Sequence, residues 1–161
     1  ATGILFSGTL GCMANQREEK VRKGAHCAWQ IHYHIVFPVK DRKALLDDVV
    51  TARIREPATE IAERFPIEME AIGMDKNHIH LLCSAHPKMA PGRIVQIFKS
   101  LTAREIFRRK PAVKRVLWGG EFWTDGYSVA TVGARANWQT VERYVQRQGT
   151  PSEDLRQLRM F

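Results

Sequence analysis

Between Pro66 and Cys83 the chain carries two β-prone runs separated only by Asp75-Lys76. In the first, Ile67, Met69 and Ala71 alternate with Glu68 and Glu70; the second reads Asn77-His78-Ile79-His80-Leu81-Leu82-Cys83. So short a connection leaves no room for a crossover, and the runs predict one antiparallel hairpin. Successive side chains of a strand alternate faces, so His78 and His80 point one way while Ile79 and Leu81 point the other. Two imidazoles side by side bind one divalent metal if a third ligand arrives from elsewhere. Otherwise they are two hydrogen-bonded or half-exposed histidines on a sheet face.

The flanking segments fit around that hairpin. Cys27 to Val39 is rich in aromatic and β-branched residues and predicts a strand, with Ile31, Tyr33, Ile35 and Phe37 on one face and His32, His34 and Val36 on the other. Lys40-Asp41-Arg42-Lys43 reads as a turn. Ala44 to Phe65 has helical periodicity, with Pro57 expected to divide it into two pieces. Arg93 to Arg109 predicts an amphipathic helix on Ile94, Ile97, Phe98, Leu101 and Ile106. Tyr127 to Val132 predicts a short extended stretch, and Trp138 to Gln148 a last helix stopped by Gly149 and Pro151.

Strand, helix, hairpin, helix, strand is the order of an α+β sandwich with helices packed on an antiparallel sheet. At 161 residues the chain suits one domain, expected over 26–150. Residues 1–25 are expected to be a leader and flexible arm, with Met13 the natural start, and 151–161 a tail. Residues 1–12 lack the charged start of a signal peptide.

The formal net charge of +8 points to a polyanionic partner, nucleic acid before membrane. No apolar run approaches membrane-spanning length. Cys12, Cys27 and Cys83, odd in number and without CxxC spacing, read as reduced thiols of a cytoplasmic protein. From Arg93 to Arg115 the chain has Arg93, Lys99, Arg104, Arg108, Arg109, Lys110, Lys114 and Arg115 against a single acid, Glu105. That bias suits a surface that tracks phosphates, although a solvated basic face is the plain alternative. Trp118, Phe122, Trp123 and Tyr127 are candidates to stack on unpaired bases or, equally, for the core.

Tyr144 and Gln148 are four residues apart and share a face of the last helix. A glutamine carbonyl suits a hard ion such as Mg²⁺ or Mn²⁺, and a phenolic oxygen can attack phosphorus and hold a covalent intermediate. Read locally, the two are an ordinary helix pair. Tyr33 and Tyr127 are rival nucleophiles.

Taken in order, His78-Ile79-His80-Leu81-Leu82, Ile97-Phe98-Lys99-Ser100-Leu101-Thr102, Leu117-Trp118-Gly119-Gly120-Glu121-Phe122-Trp123, Gly126-Tyr127-Ser128-Val129-Ala130-Thr131-Val132-Gly133 and Tyr144-Val145-Gln146-Arg147-Gln148 form a series. From about His34 to Gln148 the chain resembles the single-tyrosine HUH transposases, the TnpA-like enzymes of the two-hundred/six-hundred-and-five group of bacterial insertion sequences.

The resemblance implies a ferredoxin-like (RRM-like) antiparallel sheet with helices packed on one face and the tyrosine on a C-terminal helix. It implies that His78, His80 and Gln148 ligate Mg²⁺ or Mn²⁺ and that Tyr144 is the nucleophile. It further implies nicking and rejoining of single-stranded DNA, with a hairpin at the element ends, by a homodimer whose active sites are shared between chains. Lys40, Arg42, Arg93, Lys99, Arg104, Arg108 and Arg109 are the expected DNA contacts. Members commonly carry Asp before the first histidine and Lys-Tyr-Arg after the first strand; this chain has Asn77 and Lys40-Asp41-Arg42. Two other readings stay open: a non-cleaving DNA-binding regulator, and a small metal hydrolase using His32 and His34 with His78 and His80.

Overall fold

The computed structural model describes residues 4–5, 21–132 and 138–147, with residues 4–5 and 138–140 as backbone only. The predicted hairpin is present as β5 (Ile67–Met74) and β6 (His78–Ala85). β6 also pairs antiparallel with β4 (Tyr33–Pro38), whose other edge takes β7 (Ser128–Thr131). Counting β1 (Ile4–Leu5) on the outer edge of β5, the strand order is β1-β5-β6-β4-β7. The four main strands in chain order thus sit 2-3-1-4, the arrangement of a β-α-β-β-α-β unit, and the ferredoxin-like expectation holds. A small hairpin of β2 (Arg22–Lys23) and β3 (Ala28–Trp29) lies apart from this sheet, so the strand expected over Cys27 to Val39 is interrupted.

The helix expected in two pieces is one, α1 (Asp48–Arg64). It starts where the Asp47 carboxylate accepts the Val50 N–H at 2.8 Å. Pro57 lies inside it and costs a backbone hydrogen bond. Pro57 is itself buried, on the side of the helix that buries Val50, Ile54, Ala58 and Ile61, and packing of that continuous face outweighs the lost bond. α2 (Pro91–Arg109) begins with proline at its first turn, where no N–H partner is needed. α1 and α2 cover the face of the sheet carrying Ile35, Phe37, Ile79 and Leu81, all fully buried.

The short α3 (Pro111–Val116) and a single 3-10 turn at Trp118–Gly120 follow α2. The opposite face of the sheet carries a smaller cluster, in which Val141 and Val145 of α4 (Trp138–Gln146) meet Ala71, Leu82 and Val132. Alternation along β6 puts the histidines on that second face, beneath α4. No described helix is long and apolar enough to cross a membrane. Cys27 is exposed and Cys83 buried, and both are free thiols; Cys12 lies outside the described residues.

Candidate active site

β6 presents His78 and His80 side by side, ring centroids 5.0 Å apart. The register with β4 sets Pro38 opposite His78 and Val36 opposite His80. The Nδ1 of His78 is 2.7 Å from the Oδ1 of Asn77. An amide oxygen only accepts, so Nδ1 carries the proton and Nε2 keeps its lone pair. Asn77 therefore orients its neighbour, without the full charge that a carboxylate would bring.

The Nδ1 of His80 is 3.0 Å from the Nε2 of His34, and the rings stack with 19° between their planes. The Nε2 of His80 is buried and has no hydrogen-bond partner among the described residues. Burial lowers the pKa of His80 to about 3, helped by repulsion from His34 and His78. Burial also lowers His78 and His34, so all three imidazoles are neutral near pH 7. A neutral imidazole with a bare nitrogen is the state in which histidine binds metal.

Among the described residues no group of three or more His, Cys, Asp or Glu is placed to hold an ion. The expected third ligand, Gln148, lies outside the described residues. The donors that are described, two neutral imidazoles with one buried and unengaged Nε2, fit a divalent ion that takes a further oxygen ligand.

α4 sets the ring of Tyr144 edge-on to His80 and His34, with centroids 5.8 Å and 6.3 Å away. Of the rival tyrosines, Tyr33 packs against the main core, and Tyr127 lies by the N-terminal turn of α2, near Gly92. Neither is placed like Tyr144. The four-histidine alternative is not assembled, because His34 is bonded to His80 while His32 pairs with the buried Glu70 at 2.9 Å. Glu70 sits at a bulge between Met69 and Ala71, which interrupts the alternation read from the sequence.

The expected DNA contacts divide between the two sides of the sheet. Lys40 and Arg42 stand at the end of β4, and the positive charge of Arg42 reaches His78. Asp41 and Arg42 both adopt left-handed backbone, φ 55° and 50°. For non-glycine residues that geometry is costly and collects at functional sites. The turn borders a groove of about 550 Å³ lined also by Pro38, Tyr127 and Ser128.

Arg93, Arg104, Arg108 and Arg109 belong to α2, behind the sheet. Arg108 and Arg109 share the one carboxylate of Glu105, which leaves that surface positive. Lys99 is occupied: its Nζ donates to the carbonyls of Thr124, Asp125 and Gly126 at 2.6, 3.2 and 3.0 Å and lies over the Phe37 and Tyr127 rings. Here it clamps a loop. Phe122 and Trp123 are core, whereas Trp118 is 87% exposed on a turn shaped by two left-handed glycines, Gly119 and Gly120. That turn adjoins the Lys40–Lys43 turn, because Lys40 binds Glu121 and Lys43 donates to the Val116 carbonyl.

Sequence reading placed His34 on the correct face but missed its bond to His80. The needed signal is the β4–β6 register, which joins residues 46 positions apart.

Comparison with known proteins gives a consistent set of relatives. The family described as "Transposase IS200 like" matches residues 27–148. The ISDra2 transposase TnpA of Deinococcus radiodurans is 30% identical over 129 residues, covering 80% of this chain and 91% of the relative. The transposase for insertion sequence element IS200 of Salmonella typhimurium is 26% identical over 124 residues, 77% of this chain and 80% of the relative. Among solved structures, a transposase candidate from D. radiodurans R1 superposes with a TM-score of 0.64 at 28% identity, over 80% of this chain and 98% of that one. A REP-associated tyrosine transposase bound to a REP hairpin shares the fold, with a TM-score of 0.54 at 12% identity over 83% and 70% of the two chains.

Proposed function

Because the chain belongs to the IS200-like transposase family, we propose that it nicks and rejoins single-stranded DNA through Tyr144 beside a divalent ion held by His78, His80 and Gln148. The observation that carries this reading is the Tyr144 ring standing against His80, a buried neutral imidazole whose Nε2 is unengaged among the described residues.

Mg²⁺ or Mn²⁺, when bound, supplies Lewis-acid stabilisation of the charge that builds on the phosphate oxygens. Tyr144 supplies the nucleophile. Its phenolic oxygen loses a proton and attacks phosphorus; the bond to the 3′-oxygen breaks and that oxygen takes up a proton. The products are a 5′-phosphotyrosine and a free 3′-OH. The phosphodiester's energy is retained in the new ester, so a second 3′-OH reverses the step and joins new ends. Arg42, whose charge reaches His78, and Lys40 in the same turn are suited to steady the scissile strand. The basic surface of α2 and α3, with Trp118 exposed at its edge, suits a folded DNA end behind the sheet.

We place this activity in a homodimer. In a single chain α4 already rests on its own sheet through a small apolar cluster, and a second copy offers an identical cluster for exchange. A reading as a non-cleaving regulator differs in one observable. Incubation with labelled single-stranded element ends and Mg²⁺ yields a denaturation-resistant adduct if Tyr144 is a nucleophile, and Tyr144→Phe binds without forming it. No adduct with either metal favours the regulator.

A further inference from the structure

We propose that His34 is a positioning residue that holds His80 in the one tautomer able to bind a metal ion. The proposal rests on the reading of His80 as a ligand. His34 and His80 are diagonal neighbours on adjacent antiparallel strands: His34 faces Leu82 across the register, and His80 faces Val36. Both are buried, at 8% and 3% exposure.

Two neutral imidazoles that meet Nε2 to Nδ1 at 3.0 Å share one N–H, and only two arrangements are possible. If His34 donates, the proton of His80 must sit on Nε2. That nitrogen is buried and faces no acceptor among the described residues, so the donor would go unpaired there and the ligand position would be blocked. If His80 donates from Nδ1, His34 accepts, and the Nε2 lone pair of His80 is left bare. The second arrangement pairs the N–H of His80, leaves that of His34 on its own Nδ1, and prepares the ligand.

Without an acceptor at Nδ1 neither ring nitrogen has a described partner, and the Nε2–H form, the commoner tautomer of a free imidazole, is favoured. Asn77 performs the same service for His78. The two ligands are therefore set by different partners, a half-buried amide next in sequence and a buried imidazole on another strand. His34 also meets the edge of the Tyr144 ring, so one side chain touches both the ligand and the nucleophile.

The test uses the full chain freed of metal with EDTA, ¹⁵N-labelled at histidine, with the tautomers read from two-bond ¹H–¹⁵N spectra at neutral pH. His80 is expected as Nδ1–H. His34→Leu, which removes the acceptor, is expected to shift His80 to Nε2–H and weaken Mn²⁺ binding by roughly 10- to 100-fold. His34→Gln, whose Oε1 can accept, is expected to keep the tautomer and most of the affinity, which a purely packing role would not explain. Thermal melts check folding; should His34→Leu not fold, the wild-type tautomer and His34→Gln still decide. Wild-type His80 found as Nε2–H while Mn²⁺ binds, or His34→Leu binding Mn²⁺ like wild type, overturns the role alone. Nδ1–H with no Mn²⁺ binding at all overturns the ligand reading and this role with it.

Discussion

The ring of Tyr144 stands almost perpendicular to that of His80, 77° between planes and 5.8 Å between centroids, within one chain. Val141 and Val145, on the same side of α4, bury against Ala71, Leu82 and Val132 and fix the helix over the histidines. The contact thus depends on a small apolar cluster and not on the main core, which lies on the far side of the sheet.

Exchange of α4 between chains is testable by mixing variants. His80→Ala supplies tyrosine but no complete ligand pair, and Tyr144→Phe the reverse. Co-refolding the two is expected to restore adduct formation, carried by the His80→Ala chain. Adduct from wild type but none from the mixture would assign cleavage to a single chain.

Asn77 accepts from His78 with a neutral oxygen, and a carboxylate there would make the bond charge-assisted. Asn77→Asp is therefore expected to tighten Mn²⁺ binding by about 10-fold, the low end of what such supporting contacts contribute. Calorimetric titration reads this directly. Unchanged affinity would mean that the amide already orients His78 fully.

The buried imidazoles couple folding to pH. His80 is lowered from 6.5 to about 3 by burial, and His34 and His78 are lowered too. As pH falls below 6.5 the unfolded chain takes up protons at these positions while the folded chain resists, so the unfolded state binds more. The stability they contribute is full above the unfolded value and is lost progressively toward pH 3. Urea midpoints in EDTA are expected to fall between about pH 7.5 and pH 5, and less steeply for His80→Gln. A flat profile would contradict buried neutral histidines.

Trp118 separates binding from stability. Because it is 87% exposed, Trp118→Ala is expected to change unfolding free energy by no more than about 0.5 kcal/mol. Loss of a stacked base should cost about 1–3 kcal/mol in single-stranded DNA binding, measurable by fluorescence anisotropy. Phe37→Ala, in the fully buried core, should do the opposite, costing about 3–5 kcal/mol of stability.

What could be read in the sequence was what short-range pattern controls. Alternation around Asp75-Lys76 gave the hairpin and the shared face of His78 and His80, and the motif order gave the family. Pro57 misled because its cost is local while its compensation, a buried helix face, is tertiary. The His34–His80 bond depends on strand register, and the Glu70 bulge on the partner strand, neither of which periodicity encodes. Trp118, Phe122 and Trp123 look alike in sequence; the turn at Gly119-Gly120 sends one outward while the other two stay in the core.

The central claim is that Tyr144 is the nucleophile. Trapping the adduct with an element-end oligonucleotide and Mg²⁺, digesting it and locating the nucleotide by mass spectrometry tests that claim most directly. The modification is expected on the peptide bearing Tyr144; finding it on Tyr127 or Tyr33 would contradict the account.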